Sequence, residues 1–587
     1  PNTEEEFCKM NISRRDFMAI MGIAGASGFL APSALASSWG SGNDPYDIPK
    51  YGNVTLLHIT DTHGQLLPVW WREPGTNIGT RKQHEWGVTP HLVGNHKLDY
   101  YGIKAGTPEG YALSCLDFDA LAHKYGKIGG YSHIATLVKR YREQVGADRT
   151  LLFDGGDAWQ GSATSLWTRG EDMVGAQNLL KEDYFVGHWE FTYGAERVEY
   201  LLKNKLKAKF LSQNVFTIPW DELVFDPYDI REVNGVKVAV IGQSFPFTPI
   251  ANPAYFIPKW SFGIHPEHMQ KMVNECREQH HADVVVVLSH NGADVDKKMA
   301  SQVNGIDIIL GGHTHEIMGP KPVMVNKTIV INTSTNGKFL ARFDLDVGKG
   351  KLKGWRFHYL PILSNMIPAD KEMDEYITKV RAPYAKKLAE PMAVSESLLY
   401  RRDNFNGTFD QLICNALREE MDCEAAFSPG FRWGYTKLPG ETITMEDVMG
   451  QTAITYPQVT VTEYTGAELK NVMEQVADNL FNPDPYYIQG GDMIRVGNIQ
   501  YTFDPSETIN KRISDLRVGG KLVHASKKYK VAGWAAMQKV EGTPVWDIFA
   551  KWLKDQKTVR VDHRDLPVLT KNMRGNPGIA FPKEYDL

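Results

Sequence analysis

Cysteine is scarce in this chain, with five in 587 residues, at positions 8, 115, 276, 414 and 423. No C-x-x-C pair occurs, so the spacing expected of thiolate metal centres is missing. Buried thiols are the default for such residues, and a Cys414–Cys423 bridge is the one pairing left open. Charge of either sign is also nearly absent in excess: 65 basic against 70 acidic residues leave a net charge of −5. Nothing there favours a polyanion, and nucleic acid is excluded as an expected partner. Internal repeats and low-complexity tracts are missing too. No apolar run reaches the roughly 20 residues that hydrocarbon requires. What remains is a globular composition, 42% hydrophobic, long enough for two to four domains.

The N-terminus carries the first positive signal. Ser13-Arg14-Arg15-Asp16-Phe17-Met18 precedes the uncharged run Ala19 to Leu30 and then Ala34-Leu35-Ala36. The pattern resembles a twin-arginine export signal with cleavage after Ala36, which predicts a periplasmic protein without a stable membrane anchor. That route moves folded proteins, so a metal can be inserted before the chain meets copper and zinc, which outcompete manganese for nitrogen and oxygen ligands.

Organisation follows from periodicity. Residues 1–36 read as the signal and 37–52, rich in Gly, Pro, Asn and Asp, as a linker. Val54–Thr60, Thr150–Phe153, Val236–Ile241, Asp283–Leu288 and Ile306–Leu310 are short, mostly β-branched apolar runs alternating with helical patterns such as Ile134–Arg140. This alternation predicts an α/β domain over 53–366, a sheet of many parallel strands covered by helices. Between His63 and Gly129 lies a stretch too long for an ordinary connection; a functional excursion over the site, shaping a narrow channel, and a merely structural cover are both open for it. Residues 367–392 are highly charged and read as a solvated linker helix, and 393–587 as a separate α+β substrate-binding domain.

Polar residues cluster where the predicted strands end: Asp61-Thr62-His63, Asp154-Gly155-Gly156-Asp157, Ser289-His290-Asn291 and Gly311-Gly312-His313-Thr314-His315. Each alone is more often a capping or hydrogen-bonded structural group than a ligand. Four such ends, each after an apolar strand, place oxygen and imidazole donors at the edge of a sheet where two divalent ions can be held.

These motifs, with the loop Gly187-His188-Trp189-Glu190-Phe191-Thr192-Tyr193-Gly194, resemble those of the calcineurin-like metallophosphoesterases, in their periplasmic nucleotidase branch. The resemblance runs from about Val54 to Gln538. It implies a calcineurin-like catalytic domain, β-sheets flanked by helices, with a C-terminal α+β nucleotidase-like domain. Carried over, Asp61, His63 and His315 would bind one metal, His290 and His313 the other, and Asp157 would bridge them. His188 takes the place of an asparagine ligand in the family loop G-N-H-E-F-D-Y-G. Trp189 and Thr192 replace a histidine and the aspartate that holds it, and neither can act as an imidazole–carboxylate pair.

A reaction that tolerates this loss needs a leaving group requiring little protonation. A sulfur leaving group meets that need, because a thiol has a pKa of about 8.5, far below that of an alcohol. The G-H-W-E variant and the export signal resemble the thiosulfohydrolase family of bacterial thiosulfate oxidation. That resemblance implies two Mn2+ ions, with iron or zinc as alternatives that the ligand types also admit. It further implies, as substrate, the terminal sulfonate of a cysteine S-thiosulfonate on the SoxYZ sulfur carrier. Arg432, in Phe431-Arg432-Trp433-Gly434, stands where nucleotidases carry an N-G-G-x-R loop and is the candidate sulfonate clamp, with a salt bridge as its other reading. Trp189 would line the pocket and exclude water, or pack in the core. Ala532 to Gln538 replaces the nucleotidases' base-binding segment. A periplasmic 5'-nucleotidase or 2',3'-cyclic phosphodiesterase is the alternative enzyme. An anion-binding protein without catalysis is the third reading.

Overall fold

The computed structural model describes residues 44, 46–79, 91–318 and 321–587. The export-signal pattern at 1–36 lies outside the described residues. Among those described, no helix is long and apolar enough to cross a membrane.

The apolar runs form strands, but in two sheets and not one. In the first, β1 (Val54–Ile59), β2 (Thr150–Asp154), β3 (Tyr184–Phe185) and β4 (Lys209–Phe210) run parallel. A small separate ladder pairs β5 (Val215–Thr217) with a later strand. The second sheet contains β6 (Tyr228–Val233) and β7 (Val236–Gln243); β8 (Trp260–Phe262) is the partner of β5. It continues with β9 (Val284–Ser289), β10 (Ile308–Gly311), β11 (Val323–Val325) and β12 (Thr328–Asn332). The chain then returns to the first sheet through β13 (Phe339–Gly348) and β14 (Lys351–Pro361), antiparallel at its edge.

Period-two alternation explains why the second sheet is apolar throughout. Val238, Val240, Val284, Val286, Ile308 and Leu310 enter the core shared with the first sheet. Ala239, Ile241, Val285, Val287 and Ile309 face Met269, Met272 and Val273 of the helix Pro266–Asn274. Both faces are covered, so neither strand set reads as amphipathic in the sequence.

Register then does the work of assembly. Ile59 pairs with Asp154 across the first sheet, while Ser289 pairs with both Gln243 and Gly311 in the second. The parallel strands of each sheet therefore end level, and the four polar motifs emerge together.

The charged helix Lys371–Arg381 is not free in solvent, as the composition suggested: Met373 and Ile377 are buried in the first core. Beyond it lie a three-stranded and two four-stranded sheets with the helices Thr408–Glu420, Gly466–Phe481 and Val545–Gln556. Cys414 and Cys423 are both free and buried. Both lie in the same C-terminal core cluster, where Cys423 Sγ donates to the Met421 carbonyl at 3.4 Å, and the bridge left open is not formed.

The excursion after His63 lies away from the cavity. None of its described residues beyond His63 lines the cavity at the strand ends; it runs along the seam between the two halves instead. The Thr436 N–H donates to the Trp70 carbonyl at 2.8 Å, Ala580 N–H to Gly75 at 2.8 Å, and Asn77 N–H to Gly578 at 2.8 Å. The Asp403 carboxylate accepts the backbone N–H groups of both Gly75 and Thr76. Backbone groups that would otherwise be orphaned are paired across the seam, and this fixes one half against the other.

Candidate metal centre

The strand ends place seven side chains in one buried volume. Asp61, His63, Asp157 and His315 form one group whose donor atoms all lie within 4.8 Å of one another, and Asp157, His188, His290 and His313 form a second. Asp157 is common to both. Its Oδ2 stands 3.0 Å from His188 Nδ1, 3.0 Å from His290 Nε2 and 3.7 Å from His63 Nε2. Its Oδ1 turns away and accepts the Trp189 N–H at 2.8 Å. One oxygen therefore faces both groups.

Backbone carbonyls fix the rings. His63 Nδ1 sits 3.1 Å from Gln160 O, His290 Nδ1 contacts Gly155 O, and His313 Nε2 is 3.0 Å from Gln489 O. A carbonyl only accepts, so each of these nitrogens carries the proton, and the other nitrogen offers its lone pair. In His63 that nitrogen is 2.9 Å from His315 Nε2, which is itself 3.1 Å from Asp61 Oδ1. Lone pairs and carboxylate oxygens this close repel unless a cation lies among them. Donors bound at about 2.0–2.2 Å to one ion stand about 3 Å apart, as these do. The donor set fits two divalent ions.

Protonation supports that fit. Burial holds His188 down at about 4, and burial likewise keeps His313 and His315 well below the usual histidine range, so these rings are neutral ligands. His290 goes the other way: burial lowers it, but Asp157 and Asp61 outweigh burial and raise it to about 9. A proton on His290 stands in for the ion when none is bound. Ion binding is therefore expected to release a proton below pH about 9, with affinity rising roughly tenfold per pH unit in that range. Calorimetry in buffers of different ionisation enthalpy measures this, and uptake with no proton release contradicts it.

The backbone is bent to serve the site. Asp61, His63, Asp157, His313 and His315 all have positive φ, from 48° to 75°. Left-handed conformations at non-glycine residues cost about 1–3 kcal/mol each and persist where the surroundings impose them. Thr60 and the glycines permit the crowding: a Cβ on Gly312 would lie 2.3 Å from Thr60 Oγ1 and 2.9 Å from Asp61 Oδ2.

Glu190, which sequence reasoning passed over, organises the loop. Its carboxylate accepts the N–H groups of His188 at 2.7 Å, Asp157 at 3.3 Å, Ala158 at 2.7 Å and Trp159 at 3.1 Å. It thus ties the His188 loop to the Asp157 turn. Burial and the nearby Asp157 charge push it up to about 7, although the same N–H bonds pull it down. Its position in the G-H-W-E motif was the available signal.

Trp189 is buried, and its ring packs edge-on against Phe431 and Trp433 at 5.3 and 5.1 Å while also lining the cavity. The Thr192 hydroxyl hydrogen-bonds that of Thr455 at 2.6 Å across the seam. Arg432 borders the cavity and donates from Nη2 to the His313 carbonyl at 2.6 Å. Burial first, then the charge of Arg402, lowers it to about 10, and it remains a cation at neutral pH. The cavity holds about 330 Å³ and is walled by Phe245, Phe247, Phe431, Trp433, Tyr456 and Met537.

Residues 391–550 match the model of the 5'-nucleotidase C-terminal domain. The solved structure of the sulfate thiohydrolase SoxB from Thermus thermophilus superposes with a TM-score of 0.86 at 37% identity, over 90% of this chain and 98% of that one. The chain belongs to the SoxB family. That family sits within the metallophosphoesterase and 5'-nucleotidase superfamily, as more distant relatives show. The 5'-nucleotidase of Vibrio vulnificus is 22% identical over 487 residues, covering 72% of this chain and 84% of that protein. Protein 5NUC of Lutzomyia longipalpis is 27% identical over 293 residues, and the match spans about half its length, 49%. The chain is thus a hydrolase of the 5'-nucleotidase/SoxB type. Its SoxB-like fold carries two clusters of His and Asp suited to a pair of metal ions.

Proposed function

We propose that this chain is an exported thiosulfohydrolase that removes the terminal sulfonate of a cysteine S-thiosulfonate on the SoxYZ carrier. The observation that carries the reading is the loop at 187–194. Its His188 adds an imidazole to the second group, while the positions of the acid–base pair hold a tryptophan packed against Phe431 and Trp433 and a threonine bonded to Thr455. No proton donor stands there for an alkoxide leaving group.

Two manganese ions are the proposed cofactor: Asp61, His63, Asp157 and His315 would hold one, and Asp157, His188, His290 and His313 the other. When bound, such ions supply Lewis acidity and water of lowered pKa. The protein's own residues do the rest. Arg432 sits beside the His313 turn, placed to hold sulfonate oxygens by its planar fork. Trp189 and the aromatic walls exclude bulk water, which strengthens every charge interaction inside. In the reaction a water oxygen joins the terminal sulfur and the S–S bond breaks. The electron pair leaves on the sulfur kept by the carrier, and sulfate departs. A persulfide is acidic enough to leave without a general acid.

Sulfate release from S-thiosulfonated carrier, measured beside phosphate release from AMP and 2',3'-cyclic AMP, tests the reading. The carrier is expected to win by roughly 10³ in kcat/KM. Faster turnover of either nucleotide would move the assignment to the 5'-nucleotidase or cyclic phosphodiesterase reading.

A further inference from the structure

His313 is held from both halves of the molecule. Its own half supplies the backbone anchor: the His313 N–H donates to Asp61 Oδ1 and Oδ2 at 3.1 and 3.0 Å. The Phe245 ring lies against it, with centroids 4.2 Å apart. The C-terminal half fixes the ring nitrogen and the carbonyl, through Gln489 O at 3.0 Å from Nε2 and Arg432 Nη2 at 2.6 Å from the backbone oxygen. Because Gln489 O accepts from Nε2–H, Nδ1 is the nitrogen left to serve as a ligand.

The approach depends on a glycine. Gly490 has φ +80°, and a Cβ there would stand 2.4 Å from His313 Nε2. Its neighbour Gly491 has φ +83°, yet a Cβ there meets nothing closer than Gly430 O at 3.6 Å. The pair separates two effects that usually travel together: both positions resist a side chain through backbone strain, but only Gly490 also touches the ring.

We infer that the Gln489–Gly491 loop is a positioning element for one of the two ions. It sets the ring of His313, so the Asp157, His188, His290 and His313 group is complete only when the C-terminal half is seated on the strand ends. All the donors of both groups belong to the N-terminal half, and the His63 ring also meets Trp433 of the C-terminal half at 6.0 Å, but among the described residues only His313 has a ring nitrogen held by that half; His63 and His290 are held by Gln160 O and Gly155 O of their own half. The two ions are therefore unequal, and the weaker one reports on the seam. This rests on the two-ion reading given above.

The test uses the full chain, with Mn2+ as probe, in the Gly490→Ala and Gly491→Ala variants. Ions per chain are measured by elemental analysis after gel filtration, and affinity by titration. Unsubstituted protein is expected to hold two ions. Gly490→Ala should keep one, bind the second about 10–100-fold more weakly, and regain hydrolysis as Mn2+ is raised. Gly491→Ala should keep two, with a similar loss of melting temperature. Equal affinity in Gly490→Ala, or equal loss in Gly491→Ala, would overturn the inference. Fewer than two ions on the unsubstituted protein would overturn the two-ion reading and the inference with it. Should Gly490→Ala fail to fold, histidine-selective 15N labelling of the unsubstituted chain reads the tautomer directly. Protonation of His313 at Nε2 supports the inference, and protonation at Nδ1 sinks it.

Discussion

Asp157→Ala is expected to lower hydrolysis by at least about 10⁴-fold and to strip both ions from the protein. Three histidine nitrogens from both groups lie within 3.7 Å of Asp157 Oδ2. Removing it takes one ligand from each ion and half of the carboxylate charge that compensates them. Mechanisms built on paired ions lose both Lewis acidity and the activated water when the bridge goes, which accounts for a barrier increase of more than about 5 kcal/mol. The same change frees the Trp189 N–H, now bonded to Oδ1 at 2.8 Å, and loosens the loop that carries His188. Asp154→Asn is the control. Asp154 is equally buried and three residues away, but its carboxyl bonds Gly156 N–H and Gln177, and burial pushes it well above the usual carboxylate range. Asp154 belongs to neither donor group, so the variant should keep its ions even though its amide nitrogen gives up one of the two accepted N–H bonds. Elemental analysis with a turnover assay decides the matter; Asp157→Ala protein that keeps two ions and normal turnover would refute the bridging role.

Much of this centre was legible in the sequence for a definite reason. Each candidate ligand follows an apolar strand by one or a few residues, and strand ends in α/β proteins are where polar side chains converge. What periodicity alone did not reveal is that β1 and β2 lie in one sheet while β7, β9 and β10 lie in another. Sheets buried on both faces give the same continuous apolar runs whichever partner they choose.

Glu190 and Gln489 escaped attention because their work is done on backbone and ring atoms of residues distant in sequence. Glu190 gathers four N–H groups, and Gln489 acts through its carbonyl alone. No side-chain type announces a role of that kind. The seam was hidden likewise: Trp70 meets Thr436, and Gly75 meets Ala580, through main-chain bonds. Length suggested an excursion over the site, but length does not say what it covers. Arg432, by contrast, was singled out by its place in a loop after Ser428-Pro429-Gly430, and its Nη2 donates to the His313 carbonyl.

Arg432→Ala should cost about 10²–10³-fold in kcat/KM on a sulfonated substrate, equivalent to about 2.7–4 kcal/mol, the range for a preorganised donor aimed at developing charge. Arg432 is a cation that donates from Nη2 to the His313 carbonyl and borders the cavity together with the aromatic rings and the histidines of both groups. Arg432→Lys keeps the charge but loses the planar fork, and recovery should stay below about tenfold. The split between kcat and KM separates clamp from scaffold. A clamp on the substrate raises KM and lowers kcat while two ions stay bound. A mere support for His313 lowers ion content, and added Mn2+ then restores kcat. Wild-type kinetics in Arg432→Ala would remove the cation from the reaction and leave the ion pair alone to bind the sulfonate.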